Sequence, residues 1–406
     1  MQEIKKIWDV KSLLNWSLEY LASKGISQPK LSSELLLADA LNFTRMQIYL
    51  NFDHRPTEKE LARFKEYILK RVGHMPIQYI LQKAFFRNLE LYVDENVLIP
   101  RPETELLVDR VLNIMADMVR EKAAGPGDFS GKDIPEIRLN ILEIGTGSGA
   151  IAISLIKEAK PFIARSLVDA QKNGLNGLNK LSGIGNVPAA SHLDEGDPSA
   201  GFDGSRPGDP ANGPMPGNPA NGPRPGSLRS FNALQATEIT SFVKLKLTAT
   251  EKSHAALKVA LRNAKDLLSE EEMQDADFIE ADIIPSENSP HISGLKGKIN
   301  IIVSNPPYIS EKNYGSLPEE VRDFEPESAL LAGSTGIEIY KRIMEKAVGL
   351  VDRGNAFFVF EIDPNVSPIL QKYIKENIGA SQGKSPGNIE IYKDYNQNDR
   401  IMVLKI

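Results

Sequence analysis

An α/β fold, with a mostly parallel sheet behind a small all-helical region, is what this sequence predicts. Three observations carry it. From residue 137 onward, β-like runs alternate with helical ones. The first strand, Ile137 to Ile144, runs straight into Gly145-Thr146-Gly147-Ser148-Gly149-Ala150 and then an apolar helix from Ile151 to Ile156. A further apolar strand, Ile299 to Val303, ends in Asn305-Pro306-Pro307-Tyr308. Strands rich in β-branched apolar residues suit a sheet covered on both faces.

Composition narrows the class. The chain has 406 residues, enough for two ordinary domains, and 41% hydrophobic with 25% charged residues is the balance of a globular protein. Net charge is −6, no sign of bulk polyanion binding. The charge is uneven: residues 1–90 hold 14 Lys/Arg against 10 Asp/Glu, or +4, which leaves −10 for the remainder. The absence of cysteine excludes disulfides, zinc-thiolate sites and a Cys nucleophile. No apolar run reaches the length of a membrane span, and Met1-Gln2-Glu3-Ile4-Lys5-Lys6 does not read as a signal or transit peptide. The expected compartment is the cytoplasm.

Residues 1–83 read as helices. Thr57-Glu58-Lys59-Glu60 is a capping box, followed by Leu61, Phe64, Tyr67, Ile68 and Val72 at helical spacing. The stretches Leu13–Leu21 and Leu31–Leu41 are similarly amphipathic. No polar constellation suggests catalysis here, so this part is a packing or partner-docking unit. Residues 84–98 alternate in short runs, Ala84-Phe85-Phe86 and Leu89 to Val93, and predict a hairpin linker. Leu98 to Glu105 carries two prolines and then acids suited to a helix start, with the mouth of a site as the alternative role. The unit 99–406 then supplies strands at Phe242–Thr248, Ala356–Ile362, Ile389–Tyr392 and Ile401–Ile406, with helices at His254–Leu268 and Gly336–Val351.

One segment breaks the rhythm, from about 161 to 240. Residues 196–226 hold eight Gly and eight Pro, including a nine-residue tandem repeat that starts at Gly208 and Gly217. With almost no apolar side chains to offset ordering entropy, it reads as a disordered insert. It departs from the far end of the first helix, away from the ligand edge, so it should leave a site intact.

Asn305-Pro306-Pro307-Tyr308 carries chemistry. Asn305 offers a side-chain carbonyl, Pro306 a backbone carbonyl with no competing N–H, and Tyr308 a flat ring. Two acceptors and a stacking face suit a planar NH2 group, either an amide or the exocyclic amine of a base. An amide nitrogen is a poor nucleophile, and fixed acceptors on its hydrogens raise its electron density and aim it. A Pro-Pro turn after a core strand is the bland alternative.

The glycine turn points to a nucleotide. Gly145-x-Gly147-x-x-Ala150 also fits a dinucleotide fingerprint, weak by itself. An acidic residue closing the second strand should hold ribose hydroxyls. Asp169 lies at ordinary spacing; Glu251 lies much farther on, but it ends a real strand and precedes a good helix, and Glu251 is preferred. Asp282 closes the next strand and offers a partner for an adenine amine, with Ile283 packing on the ring. A nicotinamide enzyme has no use for an amine-holding pocket, whereas a methyl donor does. The sulfonium of S-adenosylmethionine suits the carboxylate of Glu143, just before the glycines. No His/Asp/Glu cluster at metal-ligand spacing is evident.

With these residues in place, the chain resembles the HemK/PrmC class of protein-(glutamine-N5) methyltransferases. The resemblance spans nearly everything outside 161–240. It runs through Pro76 to Ile80, Leu98 to Glu105, Glu143 to Gly149, Thr250-Glu251, Ala255 to Leu257, Asn263-Ala264, Asn305 to Tyr308, Phe324-Glu325-Pro326, Ala329-Leu330, Gly333, Gly336 and Asp399-Arg400. Asn-Pro-Pro-Tyr alone is shared with adenine-N6 DNA methyltransferases. The resemblance implies a class I, Rossmann-like methyltransferase domain behind a five-helix-type docking domain and a β-hairpin linker. It implies S-adenosylmethionine as donor, bound by Glu143, Gly145, Thr146, Gly147, Ser148, Gly149, Glu251, Asp282, Ile283 and Asn305. It also implies that Asn305, Pro306, Pro307 and Tyr308 hold the substrate glutamine, with Asn305, Pro306 and Tyr308 catalytic. The implied partners are peptide chain release factors, modified at the glutamine of their Gly-Gly-Gln motif, with no membrane and no stable nucleic-acid partner.

Three departures from that pattern stand out. Glu251 replaces the usual Asp, Asp363-Pro364 follows Glu361-Ile362 where Gly is usual, and the insert is extra. Competing readings are glutamine methylation of a ribosomal protein and an adenine-N6 or guanine-N2 nucleic-acid methyltransferase. The latter calls for a basic recognition region, which the −10 remainder argues against.

Overall fold

The structure, a computed structural model, describes residues 8–123, 136–172, 241–285, 289, 294–378 and 388–406. Five helices come first: α1 (Val10–Ser23), α2 (Pro29–Leu41), α3 (Arg45–Leu50), α4 (Glu58–Val72) and α5 (Ile77–Leu81). The Thr57 box forms: the Glu60 N–H donates to the Thr57 hydroxyl and the Thr57 N–H to Glu60 Oε2 at 2.7 Å. Leu13, Leu21, Leu36, Leu37, Phe64 and Ile68 meet in one buried cluster, so the period-3.6 pattern translates directly into packing. The antiparallel pair β1 (Ala84–Phe86) and β2 (Leu89–Leu91) follows.

The remaining elements are α6 (Thr104–Ala123), β3 (Ile137–Ile144), α7 (Ala150–Lys172), β4 (Val243–Glu251), α8 (His254–Leu267), α9 (Glu270–Gln274), β5 (Ala276–Glu280), β6 (Ile301–Ser304), β7 (Ile309–Ser310), α10 (Glu311–Tyr314), α11 (Glu319–Arg322), α12 (Glu327–Leu330), β8 (Leu331–Gly333), α13 (Glu338–Ala347), β9 (Phe357–Glu361), α14 (Ser367–Asn377), β10 (Ile389–Lys393) and β11 (Asp399–Lys405). Seven strands form one sheet in the order β10-β11-β9-β6-β3-β4-β5. Strands β5, β4, β3, β6 and β9 run parallel, while β11 is antiparallel to both β9 and β10. The chain winds outward in both directions from β3 and β6. That reversal creates a crevice at their carboxyl ends.

Strand period sorts the two faces. Leu139, Ile141, Ile301, Val303 and Val359 belong to the core under α6 and α7. Leu142, Ile144, Ile302, Phe358 and Phe360 belong to the opposite core, with Tyr340, Ile343 and Leu370 of α13 and α14. The same alternation sends Glu143, Asn305 and Glu361 toward the α6 side at the carboxyl edge.

Several expected boundaries move. Phe242 is helical, Ile299 forms only an isolated bridge to Val351, and Ile362 and Ile406 lie outside their strands. The first helix does not stop before 161. It continues as α7 to Lys172 because Ile156, Ala159, Ile163 and Leu167 are buried at helical spacing. Pro161 sits on the exposed side of that helix, where water can serve the carbonyl left without its N–H donor. The expected break at about 161 is therefore corrected, since α7 runs on to Lys172; residues 173–240, with the tandem repeat, lie outside the described residues. Among the described residues no helix is long and apolar enough to cross a membrane.

Candidate active site

The glycine turn after β3 is shaped from its own strand and from β4. Gly145, Gly147 and Gly149 adopt positive φ of 74°, 56° and 85°. At Gly149 a Cβ would meet Ile153 Cδ1 at 3.1 Å, so the close approach of turn and helix requires glycine there. The Gly145 and Thr146 N–H groups both donate to the Thr250 carbonyl, at 2.8 and 3.0 Å. The Gly147 N–H donates to Glu251 Oε2 at 3.0 Å, and the Gly149 N–H to the Thr146 carbonyl at 2.9 Å. A pyrophosphate cradle needs backbone N–H groups aimed at the ligand. Four of those in this turn are already taken within the protein, which favours a nucleotide without phosphates.

Glu251 ends β4 and reaches two backbone donors, Gly147 through Oε2 and Ser253 through Oε1 at 2.9 Å. Its carboxylate therefore lies against the turn. Asp169, the alternative for the ribose, is an exposed residue on α7, on no strand end and with no such contact. Asp282 is placed at the end of the segment after β5, but its carboxylate pairs with Arg342 at 2.6 Å and Lys346 at 3.9 Å on α13. The structure does not bring Asp282 into contact with the glycine turn. Ile283 is buried at φ 78°, an outlier for a β-branched residue, and its carbonyl accepts from the Thr250 hydroxyl at 2.7 Å.

Glu143 is fully buried. Its Oε2 accepts from the Thr146 hydroxyl at 2.9 Å, and the Ala152 N–H lies close to the carboxylate, but no hydrogen bond of good geometry reaches Oε1. Burial pushes the carboxyl up to about 8; the Thr146 hydroxyl opposes the rise and Glu251 adds to it. A buried acceptor without a donor, beside a nucleotide-type turn, fits a cationic ligand group. Ser148 is buried, and its carbonyl accepts from Asn263 on α8 at 2.8 Å. Asn263 also exchanges hydrogen bonds with the Tyr92 backbone, tying the glycine turn to the segment after β2.

The end of β6 lies next to this turn, with Val303 paired to Glu143 in the sheet register. Pro306 is buried, while Asn305, Pro307 and Tyr308 are partly exposed. Tyr308 packs on the α13 side of the core, and burial raises its hydroxyl, with the Glu361 charge adding to the effect. Its backbone carbonyl faces Gly336, where a Cβ would stand 2.7 Å from it. Asn305 Nδ2 donates to the Thr104 hydroxyl at 3.2 Å, and Thr104 donates to Glu361 Oε2 at 2.7 Å.

The rim joins distant stretches. Glu325 is buried, bonded to the Arg101 guanidinium and to the Ile99 N–H at 3.2 Å. Leu98–Glu105 and Phe324–Pro326, which sequence reading picked out separately, are thus one contact. The helical region reaches the same rim through buried Arg71, whose Nη1 lies 2.8 Å from Glu320. The Asp363-Pro364 turn closes on its own side chain: Asp363 Oδ1 accepts from the Asn365 N–H at 2.8 Å and its carbonyl caps the start of α14.

Thr104, Glu361, Thr250 and Asn263 were missed as site residues by sequence reading. Only Glu361 carried a usable signal, a charge ending the apolar strand Phe357 to Phe360.

Comparisons with known proteins give two partial family matches and a set of relatives similar over nearly the whole chain. Residues 12–81 match the PrmC N-terminal domain family, and residues 230–365 match the Eco57I restriction-modification methylase family. The chain is 28% identical over 396 residues to a release factor glutamine methyltransferase of Chlorobaculum tepidum, covering 98% of this chain and 97% of that protein. It is 26% identical to one of Rhodopirellula baltica, covering 98% and 96%, and 28% identical to one of Bacillus subtilis, covering 95% and 94%.

Proposed function

We propose that this chain, similar over nearly its whole length to release factor glutamine methyltransferases, transfers a methyl group to the side-chain amide nitrogen of the glutamine in the Gly-Gly-Gln motif of peptide chain release factors. One observation carries the reading: the acceptor-rich end of β6 lies beside the glycine turn of β3, with the buried, half-unpartnered Glu143 carboxylate on the intervening register.

S-adenosylmethionine supplies an electrophilic methyl on a sulfonium. Bound at this turn, it would be held by Glu143 against its positive charge, by Gly145 to Gly149, and by the remaining lone pairs of Glu251 at the ribose hydroxyls. Ile283 would pack on the adenine, and Asp282, paired here with Arg342, is the acceptor nearest in sequence for the adenine amine. Asn305 Oδ1 and the Pro306 carbonyl accept the two hydrogens of the glutamine NH2, and the Tyr308 ring stacks on the amide plane. These fixed acceptors raise the density on nitrogen and aim it along the line of displacement. The donor would supply the methyl as its C–S bond breaks toward sulfur, with the new N–C bond formed at the amide nitrogen and one proton given up to solvent. Residues 8–81 dock the protein substrate, and the Arg71–Glu320 pair connects them to the rim.

A second reading rests on the match of residues 230–365 to a restriction-modification methylase family. There the planar amine belongs to a nucleobase. The −10 charge of the chain beyond residue 90 opposes it.

Mass spectrometry of a release factor incubated with the protein and S-adenosylmethionine tests the proposal. A gain of one methyl on the Gly-Gly-Gln glutamine, lost in Asn305→Ala while donor binding persists, is expected. No gain on the release factor, together with methylation of a ribosomal protein or of a nucleic acid, would overturn it.

A further inference from the structure

Asn305 presents two unlike ends, and only one of them suits an incoming NH2. Its carbonyl must face the pocket and its own NH2 must face away. Which end faces which way is set by what the amide is bonded to inside the protein.

The inner partner is Thr104. Its hydroxyl has a single hydrogen, and that hydrogen goes to Glu361 Oε2 at 2.7 Å. With its hydrogen spent on a carboxylate, Thr104 Oγ1 can only accept. It accepts from Asn305 Nδ2 at 3.2 Å, which turns Oδ1 outward. Both inner groups are sheltered, with Thr104 at 5% and Glu361 at 1% exposure, so water does not substitute for either bond. The arrangement follows from the sheet: Ser304 pairs with Phe360, so Asn305 and Glu361 stand one step further along neighbouring strands, and the first residue of α6 bridges them.

We propose that Glu361 and Thr104 are positioning residues that orient Asn305, so that the pocket accepts an NH2 group only while Glu361 carries its charge. The inference deepens the methyltransfer reading and rests on it for the identity of the captured group. A neutral Glu361 can donate its own hydrogen to Thr104. Thr104 then donates to Asn305, the amide turns over, and an NH2 meets the incoming NH2.

The charge on Glu361 is finely set. Burial pushes its carboxyl up to about 7, and the Thr104 hydroxyl opposes that rise. Arg400 from β11 and Arg101 from the segment before α6 face it with positive charge, and Glu103 with negative charge. The Tyr340 hydroxyl of α13 bonds the Glu361 carbonyl at 2.7 Å, and Tyr308 and Asp363 lie nearby. The charged state therefore grows as pH rises through about 7, and amine capture grows with it.

Two readouts test the relay. In isotope-labelled full-length protein, the side-chain NH2 signals of Asn305, identified by their loss in Asn305→Ala, are followed by NMR against pH. They should titrate with a midpoint near 7 in the parent protein and in Thr104→Ser, and not in Thr104→Val or Glu361→Gln. In the methylation assay, Thr104→Val and Glu361→Gln should lower kcat by about ten- to a hundred-fold, with donor Kd unchanged and the acidic limb of the profile flattened. Thr104→Ser should restore both rate and limb.

Asn305 signals that do not respond to pH in the parent, or a Thr104→Val protein with the parent's rate and pH profile, would overturn the relay. Titrating Asn305 signals in a protein that methylates no glutamine would support the relay and overturn the substrate reading instead.

Discussion

The Glu251 carboxylate holds the Gly147 N–H at 3.0 Å across 104 positions of sequence. The second strand of the sheet thereby fixes the shape of the turn that leaves the first. The extra methylene of Glu relative to Asp supplies reach: one oxygen takes Gly147, the other takes Ser253 at 2.9 Å.

Glu251→Ala should therefore weaken S-adenosylmethionine binding by about tenfold or more, since it removes a charge-assisted bond from the turn and the proposed acceptor for the ribose. Asp169→Ala should leave binding unchanged, because Asp169 is an exposed residue of α7. Titration calorimetry of the two variants checks this. Equal losses in both would refute the assignment of Glu251.

Donor binding should strengthen as pH rises toward 8. Burial raises the Glu143 carboxyl from 4.5 to about 8, so ligand-free protein at neutral pH holds a proton there. A cationic ligand needs the carboxylate, so binding releases that proton. Affinity should rise by up to about tenfold per pH unit below that value and level off above it. The linkage to folding has the opposite sign. A carboxyl raised in the folded state contributes stability fully below 4.5, and that contribution is lost as pH climbs through about 8. Ligand-free protein should thus melt lower at pH 8 than at pH 5, and Glu143→Gln should flatten both the binding and the melting trends. Calorimetry in buffers of different ionisation enthalpy reads the released proton directly.

Gly336→Ala should impair turnover more than donor binding. Gly336 sits at φ 86°, and a Cβ there would lie 2.7 Å from the Tyr308 carbonyl and 3.1 Å from Val366 Cγ2. The strain, about 1–3 kcal/mol, falls on the backbone that sets the end of β6. A lower Tm with reduced kcat and an unchanged donor Kd is expected. A variant with parent kcat would show that the Tyr308 backbone is free to shift without consequence.

Local chemistry made much of this protein readable in one dimension. Helical spacing from Leu13 to Val72, β-branched runs such as Ile301 to Val303, and a glycine turn between strand and helix are decided by near neighbours, so sequence alone located them. Asn305 to Tyr308 was legible for the same reason, since two prolines and two acceptors act within four residues. Where local signals compete, sequence reading failed. The helix-strand rhythm reads as stopping at about 161, yet burial of Ile163 and Leu167 against the core carries α7 on to Lys172.

Tertiary structure decided which distant residues meet. Sequence reading prefers Glu251 to Asp169 on its flanks, but only β4 lying beside β3 brings Glu251 to the glycine turn, because parallel pairing brings strand ends together whatever the length of chain between them. Thr104 and Glu361 carry no motif that links them. They meet through 257 positions of chain because α6 packs over the carboxyl edge of β9 and neither polar group can be left buried without a partner.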